Sequence, residues 1–555
     1  MSTLTLLQPN ANAPLSNYYA DYLVDKSTTG WYVTDSNTGD VFGSLAGTGI
    51  NYDIYSGSPT LGIITTATSI DPDGISKWTV SGLSIAANSV YNITTMLQTG
   101  NAFSSYMINT LFNGNDTING SAGDDVIYYT AGSDKIDGGG GNDWMDFSNK
   151  FYTNNNPVNV DLSTGKYIIS LNSNAVVSSI IHVENIIGSN YSDAITGDAG
   201  NNIFIGGKGS DAINGGGGID TASYVTSTGV TVNLNLGTAI EKYDSSTSTD
   251  TLTSIENIVG SSFADAITGN SLNNVFTGGA GNDTLDGGAG VDTASYLTAY
   301  QGVKVNLATG SATGHGTDTL LNIENVIGSS YADTLTGNGG ANSLFGGAGN
   351  DILIGGAGND VLNGGAGTDW AYYNTAVSAV SASLATTAVQ ITGGAGSDSL
   401  IDIENLLGSQ YNDTLTGNAV ANILNGGAGN DMLNGGAGND TLIGGAGKDA
   451  LTGGVGADVF SFGATTESTS GQNHDVITDF VRGTDKIDLS AIDANVFTEG
   501  NQAFTLISSG AAFSAAGQVK FLLGVLQGDI TNDQTADFEI ALTGVTALSA
   551  ADFIL

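Results

Sequence analysis

A nine-residue period runs through the central part of this 555-residue sequence. The pattern GGxGxD occurs thirteen times between residues 138 and 458. In the densest stretch, residues 426–458, successive aspartates lie nine residues apart, and an apolar residue follows each one two places later, at Leu433, Leu442, Leu451 and Phe460. A flexible glycine-rich linker has no reason to keep such a period. The pattern predicts stacked structural repeats with a narrow apolar core.

The period extends through degenerate copies into five blocks. A short segment that we call the leader precedes each block after the first: IHVENIIGSNYSD, SIENIVGSSFAD, NIENVIGSSYAD and DIENLLGSQYND. The leaders carry Glu184, Glu256, Glu324 and Glu404. Connectors such as GVTVNLNLG (229–237) and GVKVNLATG (302–310) alternate apolar and polar residues, which is typical of half-buried strands. They form either further coils without metal loops or bulging insertions.

The repeat chemistry points to calcium. Glycine allows a tight backbone curl with carbonyl oxygens facing inward, and aspartate adds a short carboxylate ligand. Calcium prefers about six to eight such oxygen ligands. Three further residues per repeat make a short strand, so two nonapeptides complete one coil and facing loops lie 18 residues apart. We therefore expect carboxylates to pair at that spacing, with weaker sites where Asn202, Asn274, Asn342 or Asn422 replaces aspartate.

The predicted calcium ligands are the repeat aspartates and the carbonyl oxygens of loop glycines. The carboxylates are Asp116, Asp125, Asp134, Asp143, Asp193, Asp211, Asp220, Asp265, Asp283, Asp292, Asp333, Asp351, Asp360, Asp369, Asp413, Asp431, Asp440, Asp449 and Asp458. The glycines are Gly278, Gly281, Gly346, Gly349, Gly355, Gly358, Gly426, Gly429, Gly435, Gly438, Gly444 and Gly447. No catalytic residue and no organic cofactor is predicted.

The charge supports the same cofactor. The sequence has 54 acidic and 12 basic residues, a formal net charge of −42, which excludes nucleic acid and anionic membranes as obvious partners. Multivalent cations can neutralise this self-repulsion, and the repeats would hold about a dozen calcium ions. There is no cysteine, so disulfides and thiolate metal sites are excluded. No apolar run is long enough for a transmembrane helix, and the N-terminus lacks the pattern of a Sec-type signal.

Residues 112–460 resemble the RTX (repeats-in-toxin) proteins, whose nonapeptides bind calcium. The stretch HDVITDFVRGTDKIDLSAID (474–493), followed by GQVKF and ADFEIALTG, resembles the serralysin-type C-terminal domain. The resemblance implies an all-β fold: a right-handed parallel β-roll or β-helix solenoid with bound calcium and a C-terminal β cap. It also implies type I secretion through a C-terminal signal, to the extracellular space or the bacterial cell surface. The expected domains are a β-rich assembly or docking domain at 1–110, the solenoid at 111–460, and the cap and secretion domain at 461–555.

Motifs for the usual hydrolases are missing from the sequence. None of His182, His315 and His474 lies in an HExxH motif, and no GxSxG occurs. We therefore expect a non-enzymatic structural protein, such as an S-layer, fibre or adhesin subunit that binds itself or a cell-surface polysaccharide. The alternative is a secreted RTX enzyme or toxin with an active site in the N-terminal domain or the connectors. Aromatic residues that follow the blocks, among them Phe147, Tyr224 and Tyr296, are expected to pack internally rather than to stack on sugars.

Overall fold

The computed structural model describes residues 117–555 apart from 130–131, 149–155, 172–173 and 245, and the backbone of six strands within residues 2–86. Asp116, one of the predicted ligands, lies outside this range. The chain divides into two compact units, Met1–Gly269 and Asn270–Leu555, which are considered separately below. In the described part of the chain, no helix has the length and apolar character needed to cross a membrane.

The first unit begins with antiparallel strands. They are β1 to β6: Ser2–Thr5, Tyr22–Lys26, Trp31–Asp35, Val41–Tyr52, Pro59–Ile70 and Ser76–Ala86. β4 pairs with β1, β3 and β5, and β5 pairs with β6. The segment KWTVSGLSI (77–85), in which apolar and polar residues partly alternate, forms most of β6. The expected β-rich character of this region is therefore present in its described backbone.

Short strands make up the rest of the first unit. They are β7 to β23: Thr117–Asn119, Val126–Tyr128, Lys135–Asp137, Trp144–Asp146, Val158–Asp161, Lys166–Leu171, Asn174–Ile181, Asn185–Ile187, Ala194–Thr196, Ile203–Ile205, Ala212–Asn214, Thr221–Ser223, Val230–Asn233, Thr238–Tyr243, Ser246–Thr253, Asn257–Val259 and Ala266–Thr268.

The second unit contains the remaining strands. Those of the repeats and connectors are β24 to β45: Val275–Thr277, Thr284–Asp286, Thr293–Ser295, Lys304–Asn306, Ser311–Thr313, Thr317–Leu321, Asn325–Ile327, Thr334–Thr336, Ser343–Ala348, Ile352–Ile354, Val361–Ala366, Trp370–Tyr372, Ser381–Ser383, Gln390–Gly393, Gly396–Ile401, Asn405–Leu407, Thr414–Thr416, Ile423–Asn425, Met432–Ala437, Thr441–Ile443, Ala450–Val455 and Val459–Ser461. Those of the C-terminal region are β46 to β52: Asp475–Ile477, Lys486–Asp488, Thr505–Leu506, Gln518–Leu522, Val525–Asp529, Phe538–Leu542 and Phe553–Ile554, with a 3-10 turn at Ala550–Asp552.

Repeat strands stack in parallel on the strand two places further along the chain. β41 sets Leu424 opposite Leu442, and β42 sets Leu433 opposite Leu451. Each partner is 18 residues away, so two nonapeptides complete one coil, as predicted. Alternate strands thereby build two parallel sheets, the arrangement of a β-roll solenoid.

The core of the roll is one residue wide per strand. The middle side chain of each repeat strand points inward and its two neighbours are more exposed, because side chains alternate across a strand. Leu433, Leu442, Leu451 and Phe460 are each at most 1% exposed. The same holds in the first unit, where Phe204 is fully buried. The prediction of a narrow apolar core is confirmed.

The connectors combine both predicted alternatives. In the first connector, β13 lies parallel to the repeat strand β9, and β11 lies parallel to β15. Between them, β12 pairs antiparallel with both. The connector thus continues the sheet, but through an antiparallel three-stranded excursion. The connector from β19 to β21 follows the same scheme.

Repeat parity decides which sheet a connector extends. Within the second unit, β27 extends the sheet of β31, β33 and β35. The next block has five repeats rather than four, which adds half a coil. As a result, its connector joins the opposite face of the roll, where β38 pairs with β34 in one sheet and β36 pairs with β40 in another.

The C-terminal strands extend both sheets of the roll. β47 continues the stack from β45, and β52 pairs with β47. In the other sheet, β46 lies between β44 and β51, and β49 to β51 form an antiparallel meander. This region therefore caps the last coil, as the resemblance implied.

Candidate calcium-binding sites

A ladder of backbone-to-carboxylate hydrogen bonds joins facing loops. The backbone NH of Asp333 donates to Oδ1 of Asp351 at 2.7 Å, and that of Asn422 donates to Oδ1 of Asp440 at 2.8 Å. The same bond joins every predicted pair that lies within one unit and within the described residues: Asp125–Asp143, Asp193–Asp211, Asn202–Asp220, Asn274–Asp292, Asp333–Asp351, Asn342–Asp360, Asp351–Asp369, Asp413–Asp431, Asn422–Asp440, Asp431–Asp449 and Asp440–Asp458.

This hydrogen bond is not described for the two remaining predicted pairs, Asp116–Asp134 and Asp265–Asp283. Asp116, the partner predicted for Asp134, lies outside the described residues. Asp265 and Asp283 belong to different units. In the next rung of the ladder, the backbone NH of Asp283 donates to Oδ1 of Asp318, 3.0 Å away in a connector.

In each repeat aspartate that accepts one of these ladder hydrogen bonds through Oδ1, the second carboxylate oxygen, Oδ2, is buried without a protein partner. Burying an ionised oxygen with no hydrogen bond or counter-charge is strongly unfavourable. Each of these side chains is at most 1% exposed. In the part of the chain that the structure describes, the unpaired oxygens are Oδ2 of Asp143, Asp211, Asp220, Asp292, Asp351, Asp360, Asp369, Asp431, Asp440, Asp449 and Asp458.

The loop glycines make room for this oxygen. A Cβ atom on Gly346 would come closer than 3.0 Å to Asp351 Oδ2 and to the carbonyl oxygen of Gly364. Position 346 therefore needs glycine because these two oxygens lie too close for a side chain. Position 349 favours glycine for a different reason, because its φ of 126° is one that residues with side chains rarely adopt. The carboxylate of one repeat and the carbonyl of the next coil thus converge at the first glycine of the loop.

This donor set fits calcium. No group of three or more Asp, Glu or His side chains converges anywhere in the described ranges, so a cation here would draw mainly on backbone carbonyls. Calcium accepts such a mixture of carbonyl and carboxylate oxygens in flexible geometry. A bound ion would supply the missing partner for each Oδ2 and offset the stacked negative charge.

Burial shifts the titration of these carboxyl groups. It raises the pKa of Asp351 and of Asp431 to about 7, although the backbone hydrogen bonds that they accept act in the opposite direction. Burial is also the main cause that raises the pKa of Asp143 to about 6, and the nearby charge of Glu184 adds to it. The charged form of these groups therefore needs a cation in the folded state.

The first aspartate of each later block has a different environment. Both oxygens of Asp333 already accept hydrogen bonds: Oδ2 from the NH of Ser329, and Oδ1 from its hydroxyl and from the NH of Val303. The same arrangement satisfies three other predicted ligands, Asp193, Asp265 and Asp413. In the first block, Asp125 Oδ2 accepts from Ser121, and Asp134 Oδ2 accepts from the Tyr167 hydroxyl. In these six aspartates Oδ2 accepts a hydrogen bond, whereas in the repeat aspartates that accept the ladder bonds Oδ2 is unpaired.

The repeat asparagines also have hydrogen-bonded side chains. Asn342 Oδ1 accepts from the NH of Asn338 at 2.8 Å, and its Nδ2 donates to the carbonyl oxygen of Glu324 at 2.7 Å. Asn202 and Asn422 make the same two bonds. The Oδ1 atom that was expected to face an ion therefore already accepts a hydrogen bond. The second bond, donated by Nδ2, is one that a carboxylate could not make, because a carboxylate only accepts.

Carboxylates outside the nonapeptides complete the ladder, and the sequence did not reveal their role. The glutamates of the leaders accept the NH of the last aspartate of the preceding block through Oε2: Glu184 from Asp143, Glu256 from Asp220, Glu324 from Asp292 and Glu404 from Asp369. Connector and C-terminal aspartates act likewise: Asp250, Asp318, Asp398, Asp475 and Asp485. The repeated leader was a signal for the glutamates, but the variable spacing of these aspartates gave none.

Four of the aromatic residues that follow the blocks pack internally, whereas Trp144, Trp370 and Tyr372 are only half-buried. Phe147, Tyr224, Tyr296 and Tyr373 are at most 4% exposed, and the Tyr296 hydroxyl donates to Asp318 Oδ2 at 3.1 Å. These four rings cannot stack on a sugar in the folded protein. The prediction that they are packing residues is confirmed.

Comparison with known proteins places these features in a family. The model described as Peptidase M10 serralysin C terminal matches residues 315–555. The model of the RTX calcium-binding nonapeptide repeat (4 copies) matches residues 112–145, 187–222 and 259–294. The chain is 33% identical to a subunit of the Azotobacter vinelandii mannuronan C5-epimerase solved in solution, over 27% of this chain and 80% of that one, with a TM-score of 0.20. The search of curated proteins found no match.

The repeats and the C-terminal domain together imply calcium binding and type I secretion to the extracellular space. The chain is a secreted RTX protein: its calcium-binding nonapeptide repeats form a β-roll, and its residues 315–555 match the serralysin C-terminal model.

Proposed function

We propose that this protein is a structural component outside the bacterial cell, an S-layer, fibre or adhesin subunit that folds and assembles on meeting calcium. The observation that carries the proposal is the run of buried, unpaired Asp oxygens through the repeats of each unit. Metal binding is thereby coupled to folding throughout the roll, rather than confined to one regulatory loop.

The difference between cytosolic and extracellular calcium concentrations determines where the chain folds. Extracellular calcium modules bind with dissociation constants of about 10⁻⁴–10⁻³ M, far above cytosolic calcium. Inside the cell the net charge of −42 would keep the chain expanded and suited to export. Outside, binding free energy becomes folding free energy.

An exposed aromatic residue in the leaders supports a role in contacts with other molecules. Phe263, Tyr331 and Tyr411 occupy the same place in successive leaders and are 50%, 48% and 38% exposed. An apolar residue follows Phe263 and Tyr411 nine residues later, at Leu272 and Val420, each 53% exposed. Repeated exposed aromatic residues suit binding to a second copy of the chain or to a surface polysaccharide. We assign docking to the region 1–110 and no catalytic activity to the chain.

Electron microscopy of the full chain tests the proposal. We expect ordered arrays or fibres with calcium and none with chelator. A triple variant, Phe263→Ser, Tyr331→Ser and Tyr411→Ser, should keep the calcium-loaded circular dichroism spectrum and lose assembly or polysaccharide binding. A matched control is Leu297→Ser, which changes one exposed apolar residue outside the leaders. Turnover of a polysaccharide or peptide panel by the wild-type protein would contradict the proposal and favour an enzyme.

A further inference from the structure

The leader turns differ in length from the loops that they cover. The last loop of the fourth block spans the six residues 364–369 from its first glycine to its aspartate, and residues 364–366 of this loop also belong to β34. The turn that stacks on it has three residues, 402–404, between β38 and β39. The other leaders repeat this relation, with turns 182–184, 254–256 and 322–324 facing loops 138–143, 215–220 and 287–292. The strands on either side stay in register, so each turn occupies the place of a shortened loop.

The first residue of each turn takes the place of the first loop glycine. In an internal coil, a Cβ on Gly426 would meet Asp431 Oδ2 and the carbonyl oxygen of Gly444. In the last coil of the fourth block, a Cβ on Gly364 would meet Asp369 Oδ2 and the carbonyl oxygen of Asp402. The carbonyls of His182, Ser254 and Asn322 lie in the same position over Gly138, Gly215 and Gly287.

These four residues have left-handed backbones although none is glycine. Their φ angles are 51° for His182, 50° for Ser254, 51° for Asn322 and 48° for Asp402. Such conformations persist where the surrounding structure imposes them, often at functional sites. Here the conformation lets a three-residue turn reach the next strand while it presents its carbonyl to the loop below.

The third residue of each turn takes the place of the repeat aspartate. The glutamate accepts the NH of the last ladder aspartate, as an aspartate 18 residues later does within a block. Its longer side chain compensates for the shorter turn. The Oδ2 atoms of Asp143, Asp220, Asp292 and Asp369, which lie beneath these turns, are buried and unpaired.

We infer that each leader turn completes a calcium site, with the carbonyl of its left-handed residue and the carboxylate of its glutamate closing the last loop of the preceding block. The four sites use residues 182 and 184, 254 and 256, 322 and 324, and 402 and 404, over Asp143, Asp220, Asp292 and Asp369. The turn thus ends one metal-binding block without leaving its last carboxylate uncompensated. This inference rests on calcium binding by the repeats and is independent of the assembly proposed above.

Calcium stoichiometry tests the inference. In the full chain, the fourfold variant Glu184→Gln, Glu256→Gln, Glu324→Gln and Glu404→Gln keeps the side-chain length and an oxygen that accepts the aspartate NH. By equilibrium dialysis it should bind four fewer calcium ions than the wild type, or bind four of them at least tenfold more weakly. The single variant Glu499→Gln removes an exposed carboxylate and should change nothing. An unchanged number and affinity of ions in the fourfold variant would overturn the inference.

A measurement on the wild-type protein covers the case in which the variant does not fold. Anomalous diffraction from calcium-loaded crystals should show a peak within about 2.3–2.6 Å of a glutamate oxygen and of the left-handed carbonyl at each turn. Peaks in the six-residue loops with none at the leader turns would refute the inference. Failure to form arrays would contradict the proposed function while leaving the ion count intact.

Discussion

The close approach at Gly346 leads to a sharp prediction about one methyl group. The substitution Gly346→Ala would place a Cβ within 3.0 Å of Asp351 Oδ2, a separation that real Cβ atoms essentially never show. The backbone of Gly346 does not have a positive φ, so the conformation itself tolerates alanine. Any loss of stability should therefore come from the displaced Asp351 carboxylate, from the metal that it holds, and from the Gly364 carbonyl oxygen, which the Cβ would also approach within 3.0 Å.

The expected magnitude has two parts. Overpacking a tight site costs about 1–3 kcal/mol, because the carboxylate must move. Losing an ion that is present at one hundred times its dissociation constant costs about 2.7 kcal/mol more. In calcium, where the roll is folded, the variant should thus be destabilised by about 4–6 kcal/mol.

Urea unfolding in calcium, followed by circular dichroism, measures this loss. The matched control is Gly339→Ala, seven residues earlier, where a Cβ would meet nothing within 4 Å. We expect the control to unfold like the wild type and to bind as many calcium ions. If Gly346→Ala and Gly339→Ala had the same urea midpoint in calcium, the assignment of Asp351 Oδ2 as a ligand beside this glycine would be wrong.

Three further predictions concern protons, the core and the asparagines. Burial raises the pKa of Asp351 to about 7, so the folded site binds protons more tightly than the unfolded chain and loses that stabilisation as pH rises from about 4 to about 7. Protons and calcium therefore compete for this carboxylate, and calcium titration should show a higher affinity at pH 7 than at pH 5. Leu442→Ala empties a fully buried position and should cost about 2–5 kcal/mol in calcium-loaded urea unfolding, against about 0.5 kcal/mol or less for Leu297→Ala, which is 59% exposed. Asn422→Asp replaces the amide that donates to the Glu404 carbonyl, so it should lower stability by about 1–3 kcal/mol; a gain in calcium affinity without loss of stability would speak against this role for Asn422.

The repeat architecture could be predicted because the relevant contacts follow a fixed spacing. The nine-residue period determines which side chain is buried and which residue lies one coil away. Leu433 and Leu451, for example, face each other at the distance of 18 residues that two nonapeptides require. The ladder between Asp413 and Asp431 follows from the same spacing.

The connectors could not be predicted at this level because their partners lie at irregular distances. Asp250 accepts the NH of Asp211 across 39 residues, and Asp475 accepts that of Asp449 across 26. The antiparallel excursions that bring them there depend on which strand edge is open at the end of each block. That edge is set by the three-dimensional stack rather than by local sequence.

The nine-residue period also could not predict which carboxylate oxygens are hydrogen-bonded and which are unpaired. Asp333 and Asp351 look alike in the repeat, but Ser329 satisfies both oxygens of Asp333 and one oxygen of Asp351 stays unpaired. A carboxylate at the start of a block meets a leader serine rather than a loop glycine. Only the three-dimensional structure distinguishes a hydrogen-bonded carboxylate, such as Asp333, from a candidate metal ligand, such as Asp351.

The central claim is that calcium binding makes the roll fold. Small-angle X-ray scattering of the full chain, with about 1 mM calcium and then with excess chelator, tests it most directly. With chelator we expect an expanded chain whose radius of gyration approaches about 90 Å, the value for 555 unfolded residues, and with calcium a much more compact particle. The same compact scattering profile in both conditions would contradict the account.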